Sequence, residues 1–159
     1  MQSAVGVAFR DCNPGDEAAF RFLNEQWIAK YFGLEEKDIE ILSDPETHIL
    51  APGGRICFAL QDEEIVGCCA LIVNGLRSYE VAKMAVLEDR RNQGIGRALL
   101  VHVIEAARAL GAQKLTLETN SRLTNAIHLY ESLGFVHLDP ARVVPSPYQR
   151  ADVHMEMLI

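Results

Sequence analysis

The sequence predicts an α/β (α+β) fold, with a mixed, mostly antiparallel sheet of about seven strands and helices on both faces. Three observations lead to this prediction. Short apolar runs separated by polar turn residues fill residues 55–87, which is typical of antiparallel hairpins. A long pattern of helical spacing then lies between two strand-like segments, which predicts a crossover to a parallel neighbour. An alternating apolar segment follows near residue 159.

The N-terminal third is predicted to contain an edge strand and two helices. Residues 4–10 alternate enough for the strand. Pro14 or Asp16 can begin a helix that runs to about Tyr31, since both residue types are common at helix starts. Residues 35–42 predict a second, short helix.

Three strands are predicted next. Segments 55–61 and 65–73 flank a tight polar turn and should pair antiparallel. The second segment is apolar on both faces, as expected in the middle of a covered sheet: Ile65, Cys69, Leu71 and Val73 on one face, and Val66, Cys68, Ala70 and Ile72 on the other. Asn74-Gly75 predicts the next turn, before a strand over 78–87.

The second half is predicted to alternate between helix and strand. A helix from about Ile95 to Leu110 buries an apolar stripe, and Gly111 ends it. Residues 113–119 predict a strand parallel to the preceding one. A short helix over 125–132, a strand near 135–138, an irregular proline-containing loop and a final strand complete the sheet. The stripe consists of Ile95, Ala98, Leu99, Val103, Ala106 and Leu110, and the final strand contains Val153, Met155 and Met157.

Composition favours one enzyme-sized domain over residues 1–159. The length suits a single hydrophobic core, and we find no repeat or linker. The formal net charge of −7 argues against a general nucleic-acid binder. The sequence contains no membrane-spanning apolar stretch and no signal-peptide pattern at its start. We therefore expect a cytoplasmic protein with neither a nucleic-acid nor a membrane partner.

Cysteine and histidine spacing does not predict a metal site. The four cysteines, of which Cys57, Cys68 and Cys69 lie in apolar strands, form no Cys-x-x-Cys, and no histidine pair has zinc spacing. Cysteines in such strands behave as small buried hydrophobes. We expect core packing from them and no metal cofactor.

The most informative stretch is a basic, glycine-bearing loop that leads from a strand into a helix. The first four N–H groups of a helix have no partner within it, and the peptide dipoles add partial positive charge there. Glycines allow a ligand to approach the backbone closely. The loop therefore predicts a phosphate-binding site. It reads Arg91-Asn92-Gln93-Gly94-Ile95-Gly96-Arg97-Ala98.

Three glycine patterns compete for this loop. The P-loop string is absent. A dinucleotide-binding turn is matched at Gly94 and Gly96, and Glu118 could contact a ribose, but Leu99 replaces the third small residue and segment 88–93 makes the turn too long. The third pattern, Arg/Gln-x-x-Gly-x-Gly/Ala, is matched by Arg91, Gly94 and Gly96. It resembles the pyrophosphate loop of the GCN5-related N-acetyltransferase (GNAT) family, which binds acetyl-CoA.

Two further segments resemble the same family, in the same order along the chain. Lys83-Met84-Ala85-Val86 resembles the strand whose backbone pairs with the pantetheine arm of CoA. Residues 125–135 resemble its helix that ends in Tyr-x-x-x-Gly-Phe. The resemblance runs from about Val5 onward. It implies a GNAT-type sheet and acetyl-CoA as the co-substrate.

The resemblance also implies catalytic roles. Tyr130 would protonate the departing thiolate, since a phenol with an ordinary pKa of ~10 keeps its proton near neutrality; the alternative is a structural tyrosine beside Phe135. The backbone of Met84, Ala85 and Val86 would polarise the thioester carbonyl, although the same side chains can pack a helix.

Glu80 is the candidate general base. Strict alternation would place it on one face with Ala82, Met84 and Val86, where burial would raise its pKa. Its position resembles that of the glutamate base in histone acetyltransferases of this family. The alternatives are a solvent-facing glutamate, an ion pair with Arg77, or deprotonation of the amine through water.

The cofactor contacts implied by the resemblance lie in the loop and beyond it. The pyrophosphate would bind Arg91, Asn92, Gln93, Gly94, Ile95, Gly96, Arg97 and Ala98, mostly through backbone N–H groups, and Arg90, Arg91 or Arg97 could reach phosphates. Asn120 and Asn125 lie near the expected CoA channel. One of them would replace the family asparagine, which is absent at Leu123.

The acceptor is left open as a small-molecule or peptide amine. Two groups of residues could shape its pocket: Trp27, Tyr31 and Phe32, which could instead pack the helices onto the sheet, and Tyr148, Arg150 and Asp152 with the preceding proline-rich loop, which could instead mediate a homodimer. We predict an acetyl-CoA-dependent N-acetyltransferase that transfers the acetyl group directly to a primary amine in a ternary complex. The alternatives are a non-catalytic acyl-CoA-sensing domain and a dinucleotide-binding enzyme.

Overall fold

A computed structural model describes residues 6–159 as a seven-stranded mixed sheet with helices on both faces. The strand order is β1-β2-β3-β4-β5-β7-β6, and only β4 and β5 pair in parallel. The predicted fold class and element order are confirmed; residues 4 and 5 of the predicted first strand lie outside the described residues. The elements are β1 Val7–Asp11, α1 Glu17–Tyr31, α2 Glu36–Ser43, a π-helical turn Glu46–Leu50, β2 Arg55–Gln61, β3 Glu64–Gly75, β4 Ser78–Val86, α3 Ile95–Ala109, β5 Lys114–Thr119, α4 Thr124–Leu133, β6 Val136–His137 and β7 Val153–Leu158, with short 3₁₀ turns at Glu88–Arg90 and Pro140–Arg142.

Two apolar layers cover the sheet. On one face α3 buries its stripe, including Leu99 and Val103, against Leu71 and Leu115. On the other face α1 and α2 pack on the sheet around Phe58. Full burial of one such side chain contributes about 1.5–3 kcal/mol, so both layers hold the central strands in place. Cys57, Cys68 and Cys69 are buried free thiols, as predicted. No helix in residues 6–159 is long and apolar enough to cross a membrane.

A β-bulge in β3 changes the faces of two residues. The register with β2 shifts between Ala59 and Leu60, which leaves one extra residue in β3. Val66 consequently packs on the α3 face with Cys69 and Leu71, whereas Ile65 packs on the opposite face. The predicted faces of Ile65 and Val66 were therefore wrong, because strict alternation does not account for an inserted residue.

A second bulge, in β4, determines where Glu80 lies. The register shifts between the pairs Cys68–Ala85 and Ala70–Ala82, and Lys83 has a φ of 52°. Met84 and Val86 pack on the α3 face. Glu80 pairs with Ile72, which packs on the α1 and α2 face. The prediction that Glu80 shares a face with Met84 and Val86 was wrong, since the extra residue inverts the alternation beyond it.

The β3–β4 hairpin turns two residues later than predicted. Gly75 pairs with Ser78, so the turn is Leu76–Arg77, with a φ of 53° at Arg77. Asn74 lies within β3 instead of in the turn. Its side chain accepts a hydrogen bond from Ser78 Oγ (2.7 Å) and donates one to Thr116 Oγ1 (2.8 Å). These side-chain bonds favour continuation of the strand through Asn74.

The two parallel strands separate soon after they meet. β4 and β5 pair only over residues 78–80 and 114–116, although β4 continues to Val86 and β5 to Thr119. Beyond Glu80, β4 pairs with β3 but no longer with β5. One edge of residues 82–86 therefore faces a cleft instead of a neighbouring strand. The candidate functional residues lie around this cleft.

Candidate active site

One cavity of about 690 Å³ occupies the cleft between β4 and β5. Its walls come from the end of α1, the second half of β4, the loop before α3, the start of α4 and residues 147–151. The predicted loop and the predicted catalytic residues therefore open onto the same space. In residues 6–159 no group of three or more His, Cys, Asp or Glu side chains is arranged to hold a metal ion.

The N-terminus of α3 presents free amides to this cavity. Gly94 caps the helix with a φ of 81°, a conformation that favours glycine. The N–H of Ala98 donates to the Gly94 carbonyl at 3.0 Å and forms the first helical bond. The N–H groups of Ile95, Gly96 and Arg97 precede that bond and point out of the helix end. This end can bind an anion.

The side chains of the loop are used in different ways. Arg91 and Asn92 are exposed and line the cavity. Gln93 accepts a hydrogen bond from Gln61 Nε2 at 3.3 Å, and Arg97 Nη1 donates to Ser132 Oγ at 3.0 Å. The side chain of Ala98 is buried in the core. Arg90, in contrast, forms ion pairs with Glu64 (2.8 Å) and Asp89 (3.2 Å).

Tyr130 lies in a position compatible with both interpretations considered for it. Its ring packs edge-on against Phe135, with centroids 6.0 Å apart, and it also lines the cavity. Burial raises the pKa of Tyr130 well above the ordinary value for tyrosine. The phenol is therefore protonated near neutral pH and can act as a proton donor.

Glu80 lies on the floor of the cavity with an unusually basic carboxyl group. Burial and, to a smaller extent, the charge of Glu118 raise its pKa to about 7, while Lys83 opposes the shift. Among the described residues it forms no ion pair with Arg77. A carboxyl group with this pKa is half ionised near neutrality and can accept a proton there.

The asparagines near the expected CoA channel have different surroundings. Asn120 Nδ2 donates to the Arg150 carbonyl at 2.7 Å, and its Oδ1 accepts from the Arg122 N–H at 2.9 Å. Asn120 therefore joins the loop before α4 to the loop before β7. Asn125 is exposed, and together with Leu123, the N-cap of α4, it lines the cavity.

A buried ionic network borders the cavity through Lys83, Tyr148 and Arg150. Asp38 is fully buried and accepts two hydrogen bonds from Arg150 (2.6 and 2.7 Å) and one from Lys83 Nζ (2.5 Å). Lys83 also donates to Tyr148 Oη at 3.0 Å, and Arg150 Nη1 donates to Glu35 at 3.2 Å. Lys83 occupies the β4 bulge, so the network connects this bulge to α2 and to the loop before β7.

The network shifts the pKa values of both Asp38 and Lys83. Burial alone would raise the pKa of Asp38, but the hydrogen bonds from Arg150 and Lys83 outweigh it and hold the pKa at about 2. Burial lowers the pKa of Lys83 despite its bond to Asp38. Sequence reasoning missed Asp38 and Glu35. The available signal was Lys83 itself, a cation flanked on both sides by apolar residues of the strand, where burial would require a counter-charge.

Residues considered for the acceptor pocket fall into two groups. Trp27, Tyr31 and Phe32 line the cavity, with Trp27 edge-on to Phe32 at 6.1 Å. Tyr148 and Arg150 line it too. Asp152 binds Ser121 through the backbone N–H (2.8 Å) and Oγ (3.0 Å), and it therefore supports the loop before α4.

Comparison with known proteins identifies the family. The model of the acetyltransferase (GNAT) family matches residues 17–135. The chain belongs to the GNAT acetyltransferase family. Among its relatives, the N-acetyltransferase YjgM of Escherichia coli K12 is 42% identical over 122 residues, which cover 72% of this GNAT chain and 73% of YjgM.

Solved GNAT structures share the fold. An acetyltransferase of the GNAT family from Staphylococcus aureus Mu50 superposes with a TM-score of 0.84 at 20% identity, covering 96% of this chain and 98% of that protein. The PaiA N-acetyltransferase of Thermoplasma acidophilum, solved in complex with coenzyme A, gives a TM-score of 0.72 at 16% identity, covering 96% and 99% of the two chains.

We predict that Asp38→Asn destabilises the protein by about 3–5 kcal/mol, because it leaves the buried cations Lys83 and Arg150 without a full counter-charge. Chemical denaturation at pH 7 measures this loss. Glu36→Gln removes an exposed charge from the same helix and serves as the control. A loss below about 1 kcal/mol for Asp38→Asn would show that the network is not strongly coupled to folding.

Proposed function

We propose that this GNAT protein is an acetyl-CoA-dependent N-acetyltransferase that acetylates the primary amine of a small molecule or peptide by direct transfer in a ternary complex. One observation carries the proposal. A single cavity joins an anion-binding helix N-terminus to a carboxyl group with a pKa of about 7, and Tyr130 lines the same cavity.

The residues present fit acetyl-CoA as the donor substrate. The free N–H groups at residues 95–97 would bind the pyrophosphate, and Gly96 leaves their approach open. The unpaired edge of β4 at residues 82–86 would hold the pantetheine arm and direct backbone N–H groups at the thioester carbonyl. The coenzyme A complex of a protein with the same fold supports this assignment.

The proposed reaction needs one proton acceptor and one proton donor. Glu80 takes a proton from the bound ammonium group, directly or through water, and produces the neutral amine. The amine nitrogen forms a bond to the acetyl carbon as the carbon–sulfur bond breaks. The acylated nitrogen loses its second proton to solvent, and Tyr130 donates its proton to the departing thiolate and regains one from solvent. Glu80 then releases its proton to solvent. The products are the acetamide and free CoA.

The decisive experiment is turnover of acetyl-CoA against a library of primary amines and peptides, followed by CoA release and mass spectrometry of the product. Acetylated amine with stoichiometric CoA would support the proposal. Tight CoA binding without turnover on any amine would instead favour an acyl-CoA-sensing domain. Stabilisation by NAD or FAD but not by acetyl-CoA would favour a dinucleotide enzyme.

We predict that Gly96→Asp abolishes stabilisation by CoA while the protein stays folded. A Cβ at this position lies 3.5 Å from its nearest neighbour, and an acidic residue in the first turn is favourable for the helix, yet it repels the pyrophosphate. The shift in melting temperature on CoA addition measures binding. Gly96→Ala, which adds no charge, should keep the shift; equal shifts in both variants would contradict this site.

We predict that Tyr130→Phe lowers kcat by roughly 10²-fold, which is typical for loss of a general acid, without changing the CoA-induced melting shift. The ring and its packing on Phe135 are retained. Steady-state kinetics with the best acceptor from the library provide the measurement. Tyr79→Phe removes a hydroxyl from β4 outside the cavity lining and should have little effect.

We predict that kcat/KM falls as pH decreases through about 7, because protonation of Glu80, whose pKa is raised to about 7, removes the base. The sign follows from the raised pKa: the inactive, protonated form persists to a higher pH than in an ordinary glutamate. Glu80→Gln should be slower and lose this break in its pH profile. An unchanged break in Glu80→Gln would assign it to another group.

A further inference from the structure

We infer that Glu118 is a specificity-determining residue of the proposed reaction: with Glu80 it binds the acceptor as an ammonium ion and selects amines that carry no carboxylate of their own. This inference rests on the proposed function and narrows its acceptor class to cationic amines with an apolar body. Five features of the cavity support it.

The strand register brings the two carboxyl groups onto one face. Glu80 pairs with Thr116 in the parallel β4–β5 ladder, and Glu118 lies two residues further along β5. Side chains two residues apart share a face, and the intervening Leu117 packs into the α3 core on the other face. Both carboxyl groups line the cavity and interact electrostatically.

Glu118 has an unused hydrogen-bond acceptor. Its Oε2 is buried and lacks a hydrogen-bond partner in the part of the chain that the structure describes. His154 Nδ1 lies 3.6 Å from this oxygen, which is too long for a good hydrogen bond. A buried acceptor without a partner is unfavourable, because it has lost its hydrogen bonds to water. An ammonium group offers three N–H donors and would satisfy it.

Two buried cations that line the cavity, Lys83 and Arg150, are already neutralised by carboxylates of the protein. Lys83 and Arg150 share the buried carboxylate of Asp38, and Arg150 also contacts Glu35. Two buried cations are thus matched by two carboxylates and are poorly available for an anionic substrate. Within residues 6–159, Glu80 forms no ion pair, and the basic side chain that approaches Glu118 is His154, at 3.6 Å.

Three other basic side chains of the cavity wall also have partners, whereas Arg91 is exposed in the loop before α3. Lys37 and His48 lie 3.5 and 3.8 Å from Glu40. Arg122 lies over the Phe32 ring, 4.7 Å from its centroid, and donates to the Tyr31 carbonyl at 3.3 Å. The acceptor end therefore favours positive over negative ligands.

Aromatic side chains complete the acceptor end. Trp27, Tyr31, Phe32 and Tyr148 line the same cavity as the two glutamates. These side chains can bury apolar ligand surface, while the rings of Tyr31, Phe32 and Tyr148 already have protein cations over them. Together with the carboxylate pair, they fit an aryl- or alkyl-ammonium ion.

The test uses two acceptors of nearly the same shape, L-phenylalaninol and L-phenylalanine. Both amines are protonated at neutral pH, but only phenylalanine carries a carboxylate. We expect kcat/KM for phenylalaninol to exceed that for phenylalanine by about tenfold or more. Glu118→Gln should bring this ratio close to one, and Glu118→Asp should retain most of it. Glu105→Gln, an exposed change of the same charge on α3, should leave the ratio unchanged.

A second measurement separates this inference from the proposed function. Calorimetry on the CoA-saturated protein measures binding of the two probes without turnover, and thermal unfolding verifies that each variant is folded. Preferential, Glu118-dependent binding of phenylalaninol without turnover would support the acceptor class and count against the enzyme. Acetylation of both probes at equal rates, or the same ratio in Glu118→Gln, would overturn the inference and leave the enzyme intact. Binding of neither probe would also overturn it.

Discussion

The separation of β4 from β5 is the constraint on which the rest of the site depends. A parallel pair normally satisfies both strands along their length, but here pairing stops at Glu80 and Thr116. The backbone of β4 beyond that point can serve a ligand only because β3 holds its other edge and two apolar layers fix its position. The helix that follows then places its amide-rich end on the wall of the same opening, because the crossover from β4 to β5 runs through α3.

The sequence predicted the order and type of nearly every element because the relevant signals are local. Turn residues, strand alternation and the long amphipathic pattern of α3 each act over a few residues. The two bulges were missed because an inserted residue leaves no mark on composition and only changes which later side chains share a face. Glu80 shows the consequence: its chemical character was recognised, but its face was misassigned. The π-helical turn at Glu46–Leu50 was also not predicted, since its apolar residues follow no period of their own.

The parts of the candidate site that consist of backbone groups could be predicted from the sequence. The parts that consist of side chains from distant segments could not. Gly94 and Gly96 identified the helix end directly. The contacts of Asp38 with Lys83 and Arg150 join residues 45 and 112 positions apart, and no local pattern specifies such a meeting. Glu118 was considered only as a possible ribose contact, and only the register with Glu80 reveals the pair. The loop proposed to bind acetyl-CoA is thus encoded by adjacent residues, whereas the pocket proposed for the acceptor is assembled from distant ones.

Lys83 at the β4 bulge limits which substitutions the site can accept during evolution. In the proposed function the acetyl-CoA end would rely on main-chain groups, which most substitutions leave intact. The acceptor end would rely on side chains of β4 and β5 and on those carried by α1 and the loop before β7. Substitutions in these segments could adapt the pocket to new acceptors, provided that an acidic residue at position 38 still forms the ion pair with Lys83. The ion pair between Asp38 and Lys83 would mark the boundary between the part that binds the donor and the part that binds the acceptor. Chimeras of related proteins should therefore be joined at this boundary.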